Sequence, residues 1–313
     1  MRILIAGGTI YVGRLLAEAA NARGWEVTLF HRGLSGPGLY PWADHRIGDR
    51  FSDLHLLDGD YWDFAIDTSA YFPRAVRLLG QAVKDRVGRM ALLSSINVYQ
   101  GETSIHSPLK SLEDPEIEAV NADTYAGLKV FCEQELTRIW GDRGWIVRPG
   151  IICGPLDPTD RFTFWVDRMA RFERFQGPHR LDQPVQAVDG RALAEYILDG
   201  LVAGYEVPTN CTGPRSRETF STFLETTSRA LGVDFPELIE SPAPRFPLEL
   251  FADGSGDIRF SVDLEPQIEL GLNLPTFEET IRDTWAWWNQ QGREIKTGRS
   301  DAEELAAGGM LRV

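Results

Sequence analysis

The sequence predicts an α/β protein: a doubly wound parallel sheet followed by a smaller C-terminal domain. Three observations carry this. A short apolar run, Ile3 to Ala6, breaks at Gly7-Gly8 and resumes as a helix-like segment, the way a first strand hands over to a helix. Strand-length apolar runs then alternate with helix-length amphipathic stretches as far as Val147, and crossovers of that length imply parallel strands covered on both faces. After Pro155 the alternation stops.

Taken in order, Ile3 to Ala6 reads as a strand, Gly13 to Arg23 as a helix stopped by Gly24, and "WEVTLF" (Trp25 to Phe30) as a second strand. Phe64 to Ala70 and Arg89 to Ser95 repeat the strand pattern, with helical Arg74 to Val83 between them. A helix spans about Asp123 to Trp140 and a short strand Trp145 to Val147. The stretch "DPTDRFTFWVDRMARFERFQGP" is aromatic and arginine-rich and shows no strand-helix alternation. Val185 to Leu201 reads as a return to the sheet, and two amphipathic helices lie among loops up to about Asn289. The polar end, Gly292 to Val313, reads as a mobile tail. The expected division is therefore 1–154 with 185–204 as the sheet domain, 155–184 and 205–289 as the second domain, and 290–313 as tail.

Composition bounds the function. The chain has 313 residues, 43% of them hydrophobic and 25% charged, enough to bury a large core. Acids outnumber bases 46 to 32, so a nucleic acid is not an expected partner, because phosphate neutralisation needs clustered cations. Cys132, Cys153 and Cys211 have neither disulfide-framework nor zinc spacing, and His31, His45, His55, His106 and His179 are scattered, so no metal is expected. Met1 leads straight into an apolar strand and no run approaches the roughly 18 apolar residues of a membrane span. A cytoplasmic protein with no membrane partner is expected.

Two constellations carry chemistry. In "GGTIYVG", Gly7 and Gly8 permit a tight turn that brings backbone N–H groups toward an anion at the positive end of a helix, and Gly13 permits close packing of helix on strand. In "YAGLK", Tyr125 and Lys129 are four apart and share a helix face. A phenol is a poor proton carrier at neutral pH, and a nearby ammonium favours its phenolate. Ser95, at the end of the preceding strand, offers a hydroxyl to the same substrate oxygen. The chain has only four lysines against eight tyrosines, which makes a chance pair at this spacing uncommon.

In these residues, and in "VRPGIICGP" (Val147 to Pro155), the chain from Met1 to about Asn289 resembles the extended, epimerase/dehydratase-like branch of the short-chain dehydrogenase/reductases. The resemblance implies a Rossmann sheet, an NAD(P) site, catalytic Ser95, Tyr125 and Lys129, and a small C-terminal substrate domain. Cofactor contacts are implied at Gly7, Gly8, Thr9, Ile10, Tyr11, Val12 and Gly13, at Asp49 and Arg50, at Thr68, Ser69 and Ala70, and at Pro149, Gly150, Ile151 and Ile152. It also implies a homodimer through the helix of Tyr125, with Val130 and Leu136 on its outer face.

Departures sharpen the expectation. Ile10 stands where the family has a glycine. No carboxylate follows Ser95 in Ser95-Ile96-Asn97, so water elimination by an acid pair is not expected. Ile151 replaces the asparagine by which many sugar-nucleotide epimerases hold substrate. "LFHRG" has no acid between Val27 and Gly33, which leaves Arg32 for a 2'-phosphate and predicts NADP over NAD. The substrate is expected to be a small, relatively apolar alcohol or carbonyl compound met by Tyr71, Arg161, Phe164 and His179, with the aromatic run Phe162 to Phe175 forming either a pocket or plain core. The expected activity is an oxidoreductase. Alternatives are a sugar or sugar-nucleotide epimerase with retained NAD, and a non-catalytic NAD(P)- or RNA-binding relative.

Overall fold

In the computed structural model, which describes residues 1–36, 38–101, 105–178, 181–216, 218–240 and 262–312, the first strand β1 (Arg2–Ala6) is buried from Ile3 onward. Both of its faces are covered, which is why its sequence is continuously apolar rather than alternating. Next come α1 (Tyr11–Ala22), β2 (Glu26–His31), β3 (Asp44–Ile47), β4 (Trp62–Asp67), α2 (Pro73–Val83), β5 (Val87–Leu93), α3 (Tyr125–Trp140) and β6 (Gly144–Pro149). Then follow β7 (Ile151–Cys153), α4 (Arg161–Arg171), β8 (Phe172–Gly177), β9 (Pro184–Val185), β10 (Ala187–Asp189), α5 (Gly190–Ala203) and β11 (Thr209–Cys211). The chain closes with β12 (Glu218–Thr219), α6 (Phe220–Leu231), β13 (Glu237–Glu240), α7 (Glu265–Glu269), α8 (Phe277–Trp288), α9 (Asp301–Ala306) and β14 (Met310–Leu311).

Two compact units result. The first comprises 1–150, 191–211 and 265–273 and holds a seven-stranded sheet in the order β11-β6-β5-β4-β1-β2-β3, parallel throughout. This is the Rossmann arrangement that the sequence predicts. Strand order reverses between β1 and β4, and the carboxyl ends of those two strands flank the crevice where such sheets bind ligands. One core packs α2 and α3 on the sheet through Val76, Leu79, Val83, Leu136 and Trp140 against Leu4, Ala65, Met90 and Leu92.

The second unit is built from described residues of 151–190, 212–264 and 274–313. Its core is aromatic: Phe162, Phe164, Trp165, Phe172, Phe175, Phe220 and Phe223 are all fully buried. Three expectations are corrected here. The stretch after Pro155 does contain a helix and a strand, α4 and β8, whose pattern was obscured because Arg168 is itself core, with its guanidinium 4.9 Å from the ring centroids of both Phe164 and Phe172. Val185 to Asp189 does not return to the main sheet: β10 pairs with β7, and the main sheet is rejoined only at β11, beside β6. The supposed mobile tail is an integral part of this unit.

Long-range charge pairing holds that tail. Asp160, fully buried and in the left-handed region (φ 56°), accepts two hydrogen bonds of 2.6 Å from Arg293 and one of 3.0 Å from the Lys296 N–H. Arg168 donates to Asp301 at 2.9 Å and to the Arg299 carbonyl, Glu304 accepts from the Gln176 N–H at 2.6 Å, and β14 lies antiparallel on β8. Gly298 has no room for a side chain, since a Cβ there would stand 2.5 Å from the Phe164 ring. Removing one partner of a buried ion pair leaves the other desolvated and unpaired, at a cost of about 3 kcal/mol. Arg293→Ala is therefore expected to lower stability by about 3 kcal/mol. Chemical denaturation read by tryptophan fluorescence checks this, and a loss under about 1 kcal/mol would mean that water replaces the arginine.

Candidate functional site

The turn after β1 is dictated by backbone crowding. Gly7 has φ 96°, a conformation open to glycine, and a Cβ on Gly13 would stand 2.1 Å from the Gly7 carbonyl oxygen, so α1 lies directly against the turn. Ile10 is the residue that precedes α1. Its backbone is extended, its side chain is 54% exposed and so does not fill the turn, and the strain falls on Tyr11, whose φ is 36°. The substitution at Ile10 thus leaves the loop geometry in place. α1 begins with no side-chain cap and no acidic residue in its first turn, while Thr9 and Val12 are buried and Tyr11 half-buried beside it.

Across the strand-order reversal lies the segment after β4. Thr68 Oγ1 donates to the Ala6 carbonyl at 2.9 Å, and the Ser69 N–H donates to Asp67 Oδ1 at 3.0 Å. Arg50, read as a cofactor contact, has its guanidinium engaged otherwise. It forms a two-pronged pair with the wholly buried Asp67 and also donates to Ser69 Oγ and the Ala75 carbonyl, both at 3.1 Å. Asp49 accepts from the Phe51 N–H at 2.8 Å and shapes the loop after β3.

The three residues read as catalytic come from α3 and the end of β5. Ser95 is buried at 8% exposure and accepts from the Asn97 N–H at 3.2 Å, capping a short 3-10 turn at Ile96–Val98. Tyr125 is the first residue of α3 and is half-buried. Lys129, one turn on, is buried at 4% exposure, and its ammonium donates to the carbonyls of Ala70 and Leu93, each at 2.8 Å. The same ammonium lies 6.0 Å from the centre of the Tyr125 ring and 5.3 Å from that of Tyr71, whose side chain is about half exposed. Burial pulls the Lys129 ammonium below the ordinary lysine range, opposed by Cys132, Tyr71, Asp67 and Glu133.

Residues that the sequence reading passed over complete this edge. Glu133, a further four residues along α3, takes a two-pronged pair from Arg148 of β6, at 2.9 Å from Nε and 2.6 Å from Nη2, and also accepts from the Ser94 hydroxyl. Arg148 Nη1 donates to the Tyr99 hydroxyl, which donates to Asn210 Oδ1, both at 2.7 Å. All five side chains are buried. The signal for Glu133 was the continued four-residue spacing from Tyr125 and Lys129. Nothing local in the sequence marks Arg148 or Asn210 as its partners. Pro149 ends β6, and the Gly150 N–H donates to the Cys211 carbonyl at 2.9 Å. At the end of β2, Arg32 is exposed and makes no hydrogen bond or ion pair among the described residues. His31 and His45, distant in sequence, meet at 2.8 Å.

Other expected site residues fall elsewhere. Ile151 and Ile152 form β7 in the second unit, where Arg161 opens α4 and donates to Thr159 Oγ1 at 3.1 Å. Phe164 is fully buried under Gly298, so it cannot touch a substrate, and the aromatic run is core rather than a pocket lining. His179 lies outside the described residues. Val130 and Leu136 are also buried, at 5% and 1%, within this chain's own interior, while the exposed stripe of α3 is the polar set Gln134, Thr137 and Arg138. The expected apolar dimer face is therefore absent from those residues. Among the described residues no helix is long and apolar enough to cross a membrane, and no group of three or more metal-ligating side chains occurs.

No protein-family model matches the sequence, and no curated protein does. Solved structures do match over nearly the whole chain. The UDP-N-acetylglucosamine 4-epimerase of Methanobrevibacter ruminantium M1, in complex with UDP-N-acetylmuramic acid, is 20% identical, with 93% of this chain and 98% of that one covered at a TM-score of 0.67. The UDP-glucose 4-epimerase of Thermus thermophilus, in complex with NAD, is 18% identical with 93% and 100% covered at 0.65. The dTDP-glucose 4,6-dehydratase of Bacillus anthracis str. Ames, also in complex with NAD, is 15% identical with 93% and 97% covered at 0.64. The fold is thus that of epimerases and dehydratases of the type the sequence resembles.

The buried pair gives a measurable expectation. Glu133→Gln leaves the Arg148 guanidinium desolvated without its counter-charge and should cost about 3 to 5 kcal/mol, whereas Glu133→Leu combined with Arg148→Met should recover most of that loss. Urea unfolding of the two variants checks it. A double variant no better than the single one would show that the surrounding hydrogen bonds, not the charge pair, hold this edge together.

Proposed function

We propose that this chain is a nicotinamide-dependent enzyme of the extended short-chain dehydrogenase/reductase type that interconverts an alcohol and a carbonyl through Ser95, Tyr125 and Lys129. The observation that carries the proposal is the buried ammonium of Lys129 beside the half-buried ring of Tyr125, with its two anchoring carbonyls at the carboxyl ends of β4 and β5. The glycine turn fits a dinucleotide. An uncapped helix start with no acidic residue, on a turn that admits no Cβ at Gly13, leaves N–H groups and the positive helix end for a pyrophosphate. Thr68, Ser69 and Ala70 supply the opposite wall. When bound, the nicotinamide supplies or accepts the hydride.

The protein's own part is proton transfer and orientation. The Ser95 and Tyr125 hydroxyls bind the substrate oxygen. The Tyr125 phenol gives its proton to that oxygen when a carbonyl becomes an alcohol, and takes it back in the other direction. Two positive influences favour the phenolate: the amino end of α3, where Tyr125 is the first residue, and the Lys129 ammonium one turn further in. The side chains at Ile96 and Asn97 offer no carboxylate, which favours redox or epimerase chemistry over dehydration. Epimerisation with retained cofactor is the second reading, favoured by the fold shared with the UDP-glucose 4-epimerase solved with NAD. The mass of the nucleotide that accompanies the purified protein separates them: tightly held NAD⁺ supports epimerase, and a site filled only by added NADPH supports reductase.

The cofactor reading is NADP, with NAD as the alternative. It rests on Arg32, exposed at the end of a strand that offers no carboxylate to a ribose diol. Arg32→Ala should weaken NADPH binding by about 1.5 to 3 kcal/mol, as for a hydrogen bond to a charged group, and leave NADH nearly unchanged. Fluorescence titration of both cofactors checks this, and equal losses for the two would refute it. Tyr125→Phe removes only a hydroxyl, so cofactor binding should persist while turnover falls by about two to four orders of magnitude. Turnover near that of the unmodified enzyme would rule out the proposed proton carrier.

A further inference from the structure

Arg32 sits between two residues whose backbones are both pinned. The His31 carbonyl accepts from the Gly48 N–H at 2.9 Å, and the Gly33 N–H donates to Nδ1 of the His31 ring at 3.0 Å. A side chain accepting from the N–H two residues on is the device by which Asx residues close a turn, used here by an imidazole. Gly33, at φ 72°, supplies the left-handed step that completes it. His31 is 7% exposed, and its second nitrogen, Nε2, meets Nδ1 of His45 at 2.8 Å, the rings standing edge to face. His45 Nε2 in turn meets the carbonyl oxygen of Tyr40 at 3.1 Å. The far end of the loop is tied to α1, because the Tyr40 hydroxyl donates to Glu18 and accepts from Arg14 Nε at 3.2 Å.

The proton positions in this chain have one solution. The Gly33 N–H can only donate, so His31 Nδ1 is bare and its proton is on Nε2. That proton points at His45 Nδ1, which must also be bare, and the His45 proton is therefore on Nε2, where the Tyr40 carbonyl accepts it. Both rings are neutral, and a proton added to either one sets two N–H groups against each other. Burial, with the neighbouring His45, holds the His31 pKa below the usual histidine range, which agrees with the neutral assignment.

The geometry points to His31 and His45 as positioning residues for cofactor choice: the neutral imidazole pair fixes the turn that presents Arg32, and so sets discrimination in favour of a phosphate on the adenosine 2'-oxygen. This rests on the NADP reading above and adds to it two residues that need not touch the ligand. It also accounts for His45 in β3, which no other part of the proposed function uses.

The test compares two probes that differ in one phosphate, 2',5'-ADP and 5'-AMP, by calorimetric titration at pH 7.5. General damage to the site weakens both alike, so the ratio of their affinities isolates the discrimination. The unmodified protein should prefer 2',5'-ADP, and Arg32→Ala should abolish the preference. His45→Leu cannot orient His31 and should reduce the ratio at least about fivefold, the scale of a weakened hydrogen bond to a charged group. His45→Gln, whose amide oxygen accepts from His31 and whose amide nitrogen donates to Tyr40, should stay within about twofold of the unmodified ratio. If Arg32→Ala abolishes the preference and His45→Leu leaves it intact, the positioning role is wrong while the NADP reading stands. If the unmodified protein shows no preference, the NADP reading fails and the positioning role fails with it. Nitrogen-15 imidazole spectra of the unmodified protein need no variant: they should show both rings neutral with the proton on Nε2, and a different tautomer on either ring would overturn the assignment.

Discussion

A full positive charge held out of water is the constraint around which the first unit is organised. Lys129 has almost no exposed surface, and a desolvated ammonium persists only where acceptors replace its hydration. Two of those acceptors are main-chain carbonyls at Ala70 and Leu93, which fastens α3 to the ends of β4 and β5 at once. The carboxylates of Asp67 and Glu133 favour the charge from farther off, and each carries its own arginine, Arg50 and Arg148. The buried edge of the sheet thus carries alternating charges, Arg50, Asp67, Lys129, Glu133 and Arg148, with one positive charge in excess. Removing one partner of either arginine–carboxylate pair leaves the other desolvated and unpaired, and the carboxylate of each pair also biases the charge of Lys129 between them.

This explains why the polar groups of the site sit where they do. The excess charge lies beside Tyr125, the phenol that gives and takes the proton in the proposed chemistry, while the arginines are committed to carboxylates. Arg50 illustrates the point. The family resemblance implies a cofactor contact there, and its pairing with Asp67 and Ser69 also makes it a brace for the Thr68 to Ala70 segment. Arg32 is the contrasting case, a guanidinium left in solvent on a turn fixed from both sides, which is how a charge is kept available for a ligand rather than spent on the fold.

How much of this was legible in the sequence follows from how local each signal is. Strand-helix alternation from β1 to β6, the glycine turn and the four-residue spacing of Tyr125 and Lys129 are properties of short windows, and they placed the sheet and the core of the candidate site. Element ends moved by a residue or a few, as at β4, which stops at Asp67 because Thr68 and Ser69 turn their side chains back onto Ala6. Pairings across long separations were not legible. Glu133 with Arg148, His31 with His45 and Asp67 with Arg50 each join segments whose sequences do not mention one another. Lys129 was read as a residue that faces Tyr125, and its larger role, as the pin between two strand ends, depends on carbonyls that carry no sequence signature.

The second unit shows the same limit from the opposite side. Its helix α4 was hidden because arginines and aspartates in "DRFTFWVDRMAR" look like a solvated surface, when Asp160, Asp167 and Arg168 are among the most buried residues in the chain. The segment from Arg293 onward looks like a tail for the same reason, since its charges read as solubility until Arg293 is seen on Asp160 and Asp301 on Arg168 and Arg171. Charge-rich sequence is evidence for an exposed segment only when its partners are absent, and here they lie about 130 positions away. The consequence reaches function. Among the described residues the aromatic rings of this core are sealed by that segment, and Phe162, Phe164, Trp165, Phe172, Phe175, Phe220 and Phe223 present no surface to a ligand.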